Sequence, residues 1–159
     1  MSISYHHNTS DYLAYLTEDG NLFFIELTAL GVSILQKLSA VQVDSFGNMM
    51  FPANILEVDL DQDRRPELLL EYKEAGEASV LFKLALFKPN FTDKTLELLF
   101  ETDPLFPFPS YSPFVKPKPL RVEDDRVVVP YCVGCEAGEE GQEATGVLRY
   151  TESGYTFER

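Results

Sequence analysis

The stretch of this chain best equipped for chemistry is Asp59-Leu60-Asp61-Gln62-Asp63-Arg64-Arg65-Pro66-Glu67-Leu68-Leu69-Leu70. Carboxylates at alternate positions of a tightly turning loop can all point inward, which is what a hard cation such as calcium needs from its oxygen ligands. Asp59, Asp61, Asp63 and Glu67 are therefore the candidate metal ligands. An EF-hand would carry a bidentate glutamate at the twelfth position of the loop, where this chain has Leu70, so that motif is excluded. A second pair, Cys132 and Cys135 in Cys-Val-Gly-Cys, could form half of a zinc site completed by His6 and His7, or a redox dithiol. Acidic neighbours raise a thiol pKa, and no helix is expected there to lower it, so a strand-end pair, reduced or closed in a small loop, is the simpler reading. No nucleophile elbow, phosphate-cradling glycine loop or paired-histidine motif occurs, and the chain is read as having no catalytic function.

The acidic stretch resembles the calcium loop of FG-GAP and VCBS repeats, the blades of integrin-α-like β-propellers, in which Asp-x-Asp-x-Asp-Gly-x-x-Asp leads into an apolar strand. Asp59, Asp61, Asp63 and Glu67 fall on the first, third, fifth and ninth positions of that pattern, and Pro66 and Leu68-Leu69-Leu70 suit it as well. The resemblance covers about one blade, Asn54 to Glu101, and implies a rigid platform for protein partners, with calcium as the ion. Arg64 stands where the family has glycine; it brings a cation beside the site and resists the positive φ required there. Arg64 or Arg65 could therefore replace the ion and hold the aspartates without metal.

The elements around the loop read as strands. Tyr12–Leu16 and Leu22–Leu27 flank Asp19-Gly20, a hairpin signal, and 30–38 leans to strand although Gln36 breaks the alternation. Asn54–Leu60, Leu68–Tyr72, Val80–Phe87 and Thr95–Glu101 make an antiparallel meander of four strands, with a turn at 74–77 and a break at Gly47-Asn48 and Pro52. Pro104, Pro107, Pro109, Pro113, Pro117 and Pro119, interleaved with Phe106, Phe108, Tyr111 and Phe114, mark a crossover at 104–119. Leu120–Val122 and Arg126–Val133 follow, the second placed at an edge because of Pro130. A mobile loop is expected at 134–146, then a hairpin of Val147–Tyr150 and Tyr155–Phe157. His6 and His7 fall in what reads as a loose terminus.

The fold class expected is all-β, a single domain over 1–159 made of antiparallel meanders resembling propeller blades. A partial, small or oligomeric propeller fits, as does a sandwich or barrel, because most propellers need more blades than this length supplies. The formal net charge of −13 opposes nucleic-acid phosphates and anionic lipid surfaces, and the longest apolar run, near Val80–Phe87, is too short to span a bilayer. A protein partner is the expectation that remains. Met1–Leu16 lacks a basic region followed by an unbroken apolar core and does not read as a secretory signal; the compartment is left open.

Overall fold

The computed structural model describes residues 1–38, 42–43, 49–74, 81–108, 118–135 and 141–159. Residues 75–77 of the expected turn, the break at Gly47-Asn48, Pro109–Pro117 of the crossover and 136–140 of the expected mobile loop lie outside the described residues. The chain is all-β. Its strands are β1 (Ser2–His7), β2 (Ser10–Leu16), β3 (Leu22–Thr28), β4 (Gly31–Leu38), β5 (Gln42–Val43), β6 (Met49–Val58), β7 (Glu67–Glu74), β8 (Phe82–Asn90), β9 (Thr95–Glu101), β10 (Arg121–Glu123), β11 (Arg126–Val133), β12 (Gln142–Thr151) and β13 (Gly154–Glu158). They form three antiparallel sheets, β1-β2-β3-β4, β5-β6-β7-β8-β9 and β10-β11-β12-β13, with no closed barrel among the described residues.

The middle sheet is covered on both faces, which explains why its strands read as unbroken apolar runs rather than alternating ones. Leu68 and Leu70 of β7 enter one core with Tyr5, Phe24 and Phe87, while Leu69 enters the other with Leu84, Leu86, Val127 and Leu148. All three leucines are essentially inaccessible. At roughly 1.5–3 kcal/mol for each large apolar side chain fully buried, this triplet is a main anchor of the stack.

The outer faces of the stack differ. In the first sheet, the residues facing away from the core include Leu13, Phe23 and Ile25, half-buried, and Tyr15, Leu27, Val32 and Ile34, exposed. The outer face of the third sheet carries ion pairs, Arg126 with Glu123 and Arg149 with Glu158, around buried Val128 and Cys132.

The ladder bears out the strand expected at 30–38 and corrects three other expectations. β4 is a strand, and Gln36 breaks its alternation because the β3–β4 register shifts at Phe24/Ile25; the extra residue turns Gln36 inward, where its Oε1 accepts the Leu96 amide at 2.7 Å. His6 and His7 belong to β1, paired with Asp11 and Ser10, not to a loose terminus. β11 is an inner strand, yet β10 pairs with it only as far as Val128. Pro130 lies in the gap between that end and the bond from the Cys132 amide to Phe106 O, so its missing donor forfeits no partner. β12 starts at Gln142, within the segment expected to be a loop, because β11 offers pairing as far as Val133. Gly146 is accommodated there because the Phe157 ring fills the place of its side chain: a Cβ at Gly146 would lie 2.1 Å from Phe157 Cζ.

Candidate functional site: an acidic loop held by a lysine

The loop between β6 and β7 is built by its own carboxylates. Asp61 Oδ1 accepts the Asp63 amide at 3.2 Å, Asp63 Oδ1 accepts the Arg65 amide at 2.8 Å, and Asp59 Oδ2 accepts the Arg64 amide at 3.2 Å. These local bonds favour turning over strand. Gln62 and Arg64 both take left-handed conformations, at φ 56° and 64°. Arg64 thus adopts a conformation that glycine takes freely, at the steric cost a side chain meets there. The turn brings Asp59, Asp61, Asp63 and Glu67 together, with one carboxylate oxygen from each within 4.8 Å of the others.

The four sequence-predicted residues are therefore juxtaposed, but the cation among them is an ammonium from another strand. Leu68 of β7 pairs with Phe87 of β8, which sets Lys88 across from Glu67. Lys88 Nζ donates to Asp61 Oδ2 at 2.5 Å, Asp63 Oδ2 at 2.9 Å and Glu67 Oε1 at 3.1 Å. Tyr155 of β13 donates its hydroxyl to Asp61 Oδ2 at 3.1 Å and to Glu67 Oε1 at 3.0 Å, tying the third sheet to the same loop. Glu67 Oε2 accepts the Leu60 amide at 2.8 Å. Arg64 and Arg65 supply backbone amides only, so the expectation that one of them replaces the ion is corrected: the substitute is Lys88.

Burial and charge act against each other in this cluster. Burial pushes the wholly inaccessible Glu67 carboxyl above its ordinary value, and the Asp61 charge adds to that, outweighing its hydrogen bonds. For Asp61, burial also acts upward, but the Lys88 hydrogen bond and its other donors bring it below the usual carboxylate range. Burial pulls the Lys88 ammonium down; its bonds to Asp61, Asp63 and Glu67 prevail and hold it above its ordinary value. Burial, followed by the Glu67 charge, raises the Tyr155 phenol, which stays a donor.

As they stand, these residues do not fit calcium. The ion binds oxygen at roughly 2.3–2.6 Å, and an ammonium already lies 2.5–3.1 Å from three of the four carboxylates. A metal at the centre would place two cations in one small volume.

The second candidate is not assembled. Cys132 and Cys135 are joined as a disulfide, with Cα atoms 5.9 Å apart, so neither offers a thiolate. His6 Nδ1 bonds Asp11 Oδ1 at 2.7 Å, and the His7 ring stacks on Phe91 at 4.5 Å. Among the described residues, the acidic loop is the one group of three or more histidine, cysteine or carboxylate side chains close enough to share an ion.

Sequence reasoning missed Lys88 and Tyr155. For Lys88 there was a signal: extending the Leu68–Phe87 pairing by one residue sets it against Glu67, but apolar runs on both strands leave several registers open until the pairing itself is known. For Tyr155, 94 residues from Asp61, no local signal exists. Compared with models of known protein families, with curated proteins and with solved structures, the chain matches none.

Proposed function

We propose that the chain is a noncatalytic interaction module built from propeller-like β-sheets, and that it presents the outer face of its first sheet to an apolar β-sheet face of a protein partner. The observation that carries this reading is the apolar surface where Tyr15, Leu27, Val32 and Ile34 stand exposed beside half-buried Ile25 and Phe23, the latter with Lys37 over its ring. A contiguous apolar patch of this kind marks an interaction surface more often than a monomer's ordinary exterior. Its occupant is inferred from the stack itself, because the opposite face of the same sheet is covered by the apolar face of the middle sheet. The ion-paired face at the far end of the stack serves as a cap, in the way terminal units of stacked architectures carry polar outer faces. The blade-like order of the strands and the spacing of the acidic loop support placing these sheets with FG-GAP and VCBS blades. In this reading the loop is a structural clasp closed by Lys88, and calcium is not required.

The test places a photo-crosslinking residue at position 32 in one chain and at position 149 in another. Adducts at 32 alone are expected, with their mass distinguishing a different protein from a second copy. In a third chain with the crosslinker at position 15, adducts are expected to vanish when Val32→Lys and Ile34→Lys put two cations on the same face. Equal labelling at 32 and 149, or adducts at 15 that survive the two lysines, would reject the assignment.

A further inference from the structure

Where the end of β1, the β6–β7 loop and the end of β8 meet, the structure leaves an open cleft of about 250 Å³. Tyr5, His6, His7, Arg64, Arg65 and Phe91 contribute to its wall. None of the described residues lining it is acidic, in a chain whose formal net charge is −13. Asp61, Asp63 and Glu67 are turned to Lys88, Tyr155 and the loop amides, and neither the Arg64 nor the Arg65 guanidinium has an ion-pair or hydrogen-bond partner among the described residues.

Most of the rest of the wall is aromatic. Tyr5 is only 7% exposed, and its hydroxyl is buried without a hydrogen-bond partner. That hydroxyl is closed off from the cleft, so Tyr5 contributes to the wall without offering a donor to a ligand. Burial, and then the charges of Glu57 and Glu67, raise this phenol above its ordinary value. Beside it the His7 and Phe91 rings lie parallel within 10°, giving an apolar platform.

We propose that this cleft binds a small oxyanion-bearing molecule, its oxyanion held by Arg64 and Arg65 and its body resting against the His7–Phe91 pair. Planar guanidiniums match carboxylate and phosphate oxygens in two-pronged geometry. The volume lies below the roughly 300–1,000 Å³ of drug-sized ligand sites, so the ligand is of single-ring size or smaller. Both guanidiniums are solvent-exposed, so the affinity expected is modest, a Kd of about 1 mM, and falls with added salt.

The experiment titrates the full chain by calorimetry with benzoate, inorganic phosphate and, as the uncharged control, benzyl alcohol. Saturable binding of either anion with none of the alcohol is expected, and the tighter anion distinguishes a carboxylate from a phosphate site. Arg64→Gly with Arg65→Gln is expected to weaken binding by about ten-fold, and glycine keeps the turn because position 64 has positive φ. Tyr5→Phe is expected to leave binding unchanged while the melting temperature holds or rises, since the lost hydroxyl is closed off from the cleft and had no partner. If the double variant does not fold, Arg65→Gln alone carries the test, with about three-fold weakening expected. Absence of saturable binding at about 10 mM of either anion, or binding indifferent to the arginine substitutions, or equal binding of benzyl alcohol, overturns the proposal.

Discussion

Lys88→Met removes the ammonium from the acidic loop while nearly keeping the volume of the side chain. Three carboxylates then lose their shared donor, and one of them, Glu67, is wholly inaccessible. Breaking a buried ion network by deleting one partner typically costs 3–5 kcal/mol. Here Asp61 and Asp63 retain 17% and 40% side-chain exposure, and Tyr155 still donates, which places the expected loss at the lower end, about 3 kcal/mol. For a chain of this length, each kcal/mol moves Tm by roughly 2–4 °C, so a drop of about 6–12 °C is expected in thermal unfolding followed by circular dichroism. The charges left behind should behave as crowded carboxylates. Their folded-state pKa values are then raised, so the deficit is small at acid pH and grows as pH rises through them. Calcium should recover part of the deficit in this variant by occupying the position the ammonium left, whereas the wild-type Tm should respond neither to calcium nor to chelator. A loss under about 1 kcal/mol at neutral pH, or a wild-type Tm that falls in chelator, would refute the assignment of Lys88 as the cation of the loop.

Further outcomes follow from the same structure. Tyr155→Phe deletes the one hydroxyl proton shared between Asp61 and Glu67 and should lower stability by roughly 1.5–3 kcal/mol in urea unfolding, non-additively with Lys88→Met because both act on Asp61 and Glu67. Arg64→Gly should raise stability by about 1 kcal/mol, relieving a positive φ at a side chain without partners among the described residues. Gly141→Ala should destabilise, measurably by melting, since its Cβ would lie 2.5 Å from both Cys132 Sγ and Cys135 Sγ and 2.6 Å from Val133 O; reducing the disulfide itself, which closes a very short loop, should cost no more than about 2 kcal/mol. Above pH 10.5, the ordinary value for lysine, Lys88 stays charged in the fold but not in the unfolded chain, so its contribution drains away as pH rises; the wild-type Tm should fall more steeply there than that of Lys88→Met.

The all-β class was legible in the sequence because alternation and turn chemistry are local: Asp19-Gly20 closes the β2–β3 hairpin, where Gly20 takes φ 81°, and the apolar runs of β7 and β8 announce a sheet buried on both faces. The acidic loop was legible for the same reason, since its carboxylates bond amides two to five residues away. Tertiary structure decided what those carboxylates do. Whether Arg64, Arg65, a metal or Lys88 neutralises them depends on the register of the β7–β8 hairpin and on the approach of β13, and both are set by packing between sheets rather than by any neighbouring residue. The same holds for Pro130 and Gly146, whose tolerance inside strands rests on where β10 ends and where the Phe157 ring lies. Local bonding wrote the loop into the chain, while the long-range pairing of strands chose its cation.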